Sequence, residues 1–117
     1  MASNKVREIT ITESQGAFSL FKKSGFSKKD YDFSGLLALR QLLSNEKARI
    51  IHAIKHKKPT SIYELAKILE RKFKAVSDDL KLLERFGLIE LVEEKTKKRV
   101  RHRPEILADS IVINLKI

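Results

Sequence analysis

The side chains that could do chemistry in this chain are cations, and they crowd into one stretch. Lys72, Lys74, Lys81, Arg85, Lys95, Lys97, Lys98, Arg99, Arg101 and Arg103 follow one another within residues 71–103. That stretch holds eleven Lys/Arg against six Asp/Glu, in a chain of formal net charge +10. Ammonium and guanidinium groups gathered this way suit a polyanion, and the phosphate backbone of double-stranded DNA is the obvious one. The competing reading is a solvated surface kept cationic for solubility. A merely solvated hairpin usually mixes its signs, whereas no acidic residue stands between Glu94 and Arg103.

Other chemistries find little support. The chain has no cysteine, which excludes disulfides, thiolate nucleophiles and cysteine-based zinc or iron–sulfur sites. His52 and His56 have the four-residue spacing of helical metal ligands, but no third ligand accompanies them. Ser14-Gln15-Gly16 and Ser24-Gly25 lack the spacing of a phosphate cradle. No nucleophile, base and acid stand in a recognisable set, so no enzymatic activity, metal or cofactor is expected. No stretch approaches the ~18 apolar residues of a membrane span. Met1–Lys5 lacks the apolar core of a signal peptide. The expectation is a cytoplasmic protein with no membrane partner.

The cations need elements to hold them. Ser61 precedes an apolar-periodic run (Ile62, Leu65, Ala66, Leu69), and Glu64 completes a capping box. After Glu70-Arg71-Lys72, a second run follows in Val76, Leu80, Leu83 and Phe86, and Gly87 ends it. Leu88–Glu94 and Arg99–Arg103 then flank a tip of Lys95-Thr96-Lys97-Lys98, giving a two-stranded hairpin. Upstream, Ser44 caps a helix from Asn45 to about Lys57, packing through Ala48, Ile51 and Ile54 with Ile50 beside them, and Pro59 ends it. Helix, helix, second amphipathic helix and ribbon together predict an α+β, mainly α, winged helix-turn-helix over residues 31–117.

Around that module the reading is sparser. Lys5–Thr12 is rich in β-branched residues and predicts a strand. Ser14–Lys23 reads as a short helix with Ala17, Phe18, Leu20 and Phe21 on its apolar side, and Ser24–Asp30 as loop. Residues 1–30 would thus form an N-terminal extension. Tyr31–Leu43 carries more leucine than a surface helix requires, which suits core or a subunit contact. Pro104 closes the hairpin, and Glu105–Asp109 form a link. In Ile111–Ile117 strict alternation puts Ile111, Ile113, Leu115 and Ile117 on one face of a C-terminal strand. Its partner would be the N-terminal strand or the same strand of a second chain.

On the second helix, Lys74, Ser77, Asp78, Lys81 and Arg85 lie away from the Val76–Leu80–Leu83 stripe. If that helix enters the major groove, Lys74, Ala75, Ser77 and Asp78 near its N-terminal half reach base edges. Lys81 and Arg85, further along, would meet phosphate, and Lys72 is a further candidate DNA-binding residue. Asp78 reads equally well as the i,i+4 partner of Lys74, and Asp79 as a brace for the packing. The hairpin adds Lys95, Lys97, Lys98, Arg99 and Arg101, with Arg99, Arg101 and Arg103 on one strand face. Thr60 and Ser61, at a helix start, suit either a phosphate or simple capping.

From Tyr31 to Ile117 the chain resembles prokaryotic winged-helix transcriptional regulators of the MarR-like and ArsR-like groups. The likeness is carried by Leu43-Ser44, by Pro59-Thr60-Ser61-Ile62-Tyr63-Glu64-Leu65-Ala66, and by Val76, Asp79-Leu80-Lys81, Leu83 and Gly87-Leu88-Ile89-Glu90. The resemblance implies a homodimer that represses transcription, and in some relatives an antitoxin encoded beside a toxin. Two positions depart from the pattern, and one feature of it is missing. The turn between the helices often has glycine where this chain has Glu70, and a basic or polar pair is expected where Ser77-Asp78 stands. The cysteines of ArsR-type metal sites are absent. Two other function classes stay open: a protein-interaction module that binds a toxin-like partner, and an architectural DNA binder without sequence preference.

Overall fold

The computed structural model describes residues 6–14, 16–21 and 31–117. Its elements run β1 (Val6–Ser14), β2 (Ala17–Phe21), β3 (Tyr31–Asp32), α1 (Phe33–Leu42), α2 (Asn45–Lys57), α3 (Ile62–Leu69), α4 (Phe73–Arg85), β4 (Ile89–Lys95), β5 (Val100–Ile106) and β6 (Ser110–Lys116). The fold is mixed α+β, with four helices among the described residues. Two compact units emerge, one from Ser44 to Ala108 and one from the described residues on either side of it. The division falls at Ser44 and Asp109. No helix among the described residues is long and apolar enough to cross a membrane.

The central unit is built from α2, α3, α4 and the β4–β5 hairpin. Ser44 accepts from the Lys47 N–H at the start of α2, and Ser61 accepts from the Glu64 N–H at the start of α3. Leu65, Leu80, Leu83, Val76 and Ile50 are fully buried. Each such side chain is worth about 2 kcal/mol, against differences of under about 1 kcal/mol in helix propensity. Packing therefore holds α4 helical despite Ser77, Asp78 and Asp79. Helix α2 buries Lys47, Ile50, Ala53 and Ile54, whereas Ala48 is exposed and Ile51 half-buried. The expected stripe is thus rotated, and the reason is Lys47, which turns inward to meet Asp79.

Three helix ends reverse through left-handed residues. Gly87 (φ 75°) does so after α4, its N–H donating to Glu84 O while Leu88 N–H donates to Leu83 O. Glu70 (φ 55°) does the same after α3, with Glu70 N–H to Lys67 O and Arg71 N–H to Ala66 O. Lys58 (φ 47°) ends α2 before Pro59, leaving the helix by the left-handed route instead of the extended one usual before proline.

The hairpin pairs Ile89↔Ile106 through Lys95↔Val100. Its turn is Thr96–Arg99, one residue later than expected: the Thr96 N–H and hydroxyl donate to Arg99 O, and Arg99 N–H donates to Thr96 Oγ1. Pro104 does not close the hairpin. It is buried within β5 opposite Leu91, tolerated because each strand of a two-stranded ribbon has a free edge.

The flanking unit is a four-stranded sheet in the order β3-β2-β1-β6, with α1 against β2. Strands β1 and β6 match the expected N- and C-terminal strands and pair in parallel, Ile9 beside Ile113 and Ile11 beside Leu115. The helix expected over Ser14–Lys23 is instead β2, hairpinned onto β1 with Ser14 opposite Ala17. Gly16 (φ 84°) makes that tight reversal, and its N–H donates to Glu13 Oε2 at 2.8 Å. A five-residue apolar run fits either period, and pairing to β1 decided it. The loop expected at Ser24–Asp30 lies outside the described residues.

Candidate nucleic-acid interface

Every residue expected to touch DNA lies within the Ser44–Ala108 unit. Helix α4 buries Val76, Leu80 and Leu83 and exposes Lys74, Asp78, Lys81 and Arg85, with Ser77 half-buried beside them. Lys72 is the N-cap of α4 and gives no side-chain capping hydrogen bond. The helix thus begins with its positive dipole end flanked by Lys72 and Lys74, a cationic start that suits an anion. Asp78 sits 3.5 Å from Lys74 Nζ, so the carboxylate faces the helix's own lysine. Asp79 contributes no exposed charge. It bridges Lys47 at 3.0 Å and Arg71 at 2.9 Å, tying α2, the turn and α4 together.

The hairpin separates its cations into two groups. Lys95, Lys97, Lys98 and Arg99 are exposed at or beside the turn. Register sets Arg101 opposite Glu94 and Arg103 opposite Val92, so the two arginines share a face with Glu94 and Glu105. Arg103 binds both carboxylates, with Glu105 Oε2 at 2.6 Å. Those contacts hold its guanidinium pKa above the ordinary arginine value, the hydrogen bond to Glu105 contributing most. Arg101 is 3.9 Å from Glu94 and remains exposed. The expected continuous row of three arginines is therefore interrupted: Arg103 staples the hairpin, while Arg99 belongs to the turn.

A groove of about 410 Å³ opens between the start of α3 and the upper part of β5. It brings together four of the expected residues, Thr60, Ser61, Arg99 and Arg101, and adds Tyr63, Lys67, Phe73, Val100 and His102. The α4 residues Lys74, Ser77, Asp78, Lys81 and Arg85 and the turn residues Lys97 and Lys98 do not line it. In its lining Glu64 Oε1 accepts from the Thr60 N–H at 2.6 Å and from the Thr60 hydroxyl at 3.1 Å. These bonds pull the Glu64 carboxyl below the usual carboxylate range, with Arg101 and Lys67 adding to the effect. Thr60 and Ser61 are thus occupied in capping α3, and a phosphate there would have to displace Glu64. Lys67 Nζ lies 5.3 Å from the centre of the Tyr63 ring. Tyr63, Phe73 and Val100 are large, apolar and exposed. Sequence reasoning gave Lys67 and Phe73 no role; Lys67 is signalled by its place four residues after Tyr63, whereas Phe73 has the spacing of the buried Val76–Leu80–Leu83 stripe and yet is exposed.

His52 and His56 lie side by side on the exposed side of α2, ring centres 4.3 Å apart and planes tilted by 45°.

The HVO_A0114 family model matches residues 42–113, more than half of the chain. The chain belongs to the HVO_A0114 family. That match takes in the whole central unit, with every cation of α4 and the hairpin, and continues to Ile113 of β6. No curated protein matches this HVO_A0114 family member.

Proposed function

We propose that this chain is a sequence-specific DNA-binding transcriptional regulator of winged-helix type, acting as a homodimeric repressor. The observation that carries the reading is the arrangement within one compact unit of an α4 face bearing Lys74, Lys81 and Arg85 and a hairpin tip bearing Lys95, Lys97, Lys98 and Arg99. In this reading α4 lies in the major groove with Lys74 and Ser77 toward base edges, and the tip tracks the phosphates. Two copies would read half-sites about one helical turn (~34 Å) apart.

A second reading is a DNA binder without sequence preference, and the engagement of Asp78 by Lys74 favours it, because that pair removes two side chains from base readout. Titration of labelled duplexes from a random pool, followed by sequencing of the bound fraction, tests both. Enrichment of an inverted repeat supports the repressor. Binding without enrichment supports the second reading, and no complex at micromolar protein in modest salt overturns both.

A further inference from the structure

The apolar face of the flanking unit stops at an open edge. Strand β6 ends the β3-β2-β1-β6 sheet and, among the described residues, has a neighbour, β1, on one side only. Register partners in adjacent strands point to the same face, so Ile113 and Leu115 continue the face of Ile9 and Ile11. Ile9 and Ile11 are 7% and 8% exposed, whereas Ile113 and Leu115 are 41% and 57% exposed. Edge strands are normally blunted by charge, proline or a bulge. β6 carries one charge, Lys116, and no proline.

We infer that this edge joins two copies of the chain, β6 pairing antiparallel with β6 of the second copy about a two-fold axis at Ile113. The inference rests on the homodimer reading above and names its surface. Ile113 is the midpoint of Ser110–Lys116, so pairing about it uses the whole strand. Opposed residues in an antiparallel pair must share a face. This register sets Ile113 against Ile113 and Ile111 against Leu115 on the apolar face, and Val112 against Asn114 on the other. Lys116 meets Ser110, so no like charges are opposed.

Charge selects a second copy over a foreign strand. A chain of net charge +10 repels its own kind over most of its surface. The flanking unit holds eight Lys/Arg against five Asp/Glu (+3), the central unit seventeen against ten (+7), and β6 itself carries Lys116 alone, so copies meet at β6 with less repulsion than across the central unit. An anionic partner would be drawn to residues 71–103 instead. Self-pairing across a two-fold axis also closes the edge, leaving no strand to propagate.

The absence of cysteine makes the test direct. Opposed Cβ atoms at the axis come within ~4.5–5.5 Å, near disulfide reach. The full-length Ile113→Cys variant should therefore cross-link under mild oxidation roughly tenfold or more faster than Val100→Cys, an exposed control in the hairpin. Light scattering should give a dimer for the unaltered chain, and a monomer with an unchanged circular dichroism spectrum for Ile113→Lys combined with Leu115→Lys. A monomeric unaltered chain would overturn both this surface and the homodimer. A dimer in which Ile113→Cys cross-links no faster than Val100→Cys overturns this surface alone.

Discussion

Asp79 of α4 holds the ammonium of Lys47 at 3.0 Å, and Lys47 is a charged side chain buried in the core. Asp79 also takes Arg71 at 2.9 Å, so one carboxylate serves two cations from different elements. Removing it strands a buried lysine. Asp79→Asn should cost about 3 kcal/mol in urea denaturation, whereas Lys47→Met, which leaves Asp79 to Arg71, should cost under about 1 kcal/mol. Equal losses would mean that the burial of Lys47 does not depend on its partner.

The ends of α3 and α4 use the same pair of hydrogen bonds, but Gly87 makes the left-handed turn in one and Glu70 in the other. A side chain in that region costs about 1–2 kcal/mol, and the extra unfolded-state freedom of glycine returns about 0.4–1 kcal/mol of it. Glu70→Gly should therefore raise stability by about 0.5 kcal/mol, measured as a higher urea midpoint with an unchanged slope. A lower midpoint would show that the Glu70 side chain contributes contacts outweighing its strain.

The helices of the central unit were legible because their punctuation is local: Ser44 and Ser61 start two of them, and Pro59 and Gly87 stop two. What failed was whatever depended on a distant partner. Ala-Phe-Ser-Leu-Phe satisfies a helix or a strand, and only the register with β1 decides. Lys47 gives no sign of its burial in the sequence, because a lysine on an apolar stripe makes sense only once Asp79 is opposite it. The arginine row of the hairpin looked continuous until a turn shifted by one residue set Glu94 across from Arg101. The cations of the candidate interface could be read from composition. Tyr63 and Phe73 could not, since each resembles one more apolar residue of a helical run until the neighbouring β5 strand makes a groove of them.

Glu64 gives the cap of α3 a pH signature. Its folded-state pKa lies below the unfolded value, so its charge favours folding above the ordinary glutamate range and loses that contribution as pH falls through the lowered value. Glutamine keeps an acceptor for Thr60 but cannot titrate. Between about pH 5 and pH 3 the melting temperature of the unaltered chain should fall further than that of Glu64→Gln. Parallel curves would show that the Thr60 hydrogen bonds do not distinguish the two protonation states.

The two cation groups of the hairpin should behave differently toward DNA. Replacing Lys97, Lys98, Arg99 and Arg101 with alanine should weaken duplex binding and flatten its salt dependence, by about 0.9 in log–log slope for each phosphate no longer neutralised. Arg103→Ala breaks the ion pairs to Glu94 and Glu105 and should lower thermal stability while leaving the slope unchanged. If Arg103→Ala alone flattens the slope as the quadruple variant does, the guanidinium leaves its carboxylates to meet phosphate.

Lys72 sets stability against binding at a single position. It occupies the N-cap of α4, where serine, threonine or aspartate is favoured, and supplies no capping hydrogen bond. Lys72→Ser should add about 1 kcal/mol of stability by giving the first turn an acceptor. It also removes a cation from the end of α4 that faces DNA in the proposed complex, so affinity should fall and the salt slope should flatten by about 0.9. A thermal melt and a duplex titration on the same preparation read both effects. A variant that gains stability and binds DNA with unchanged affinity and slope would remove Lys72 from the interface, and with it the reason for an uncapped helix start at that site.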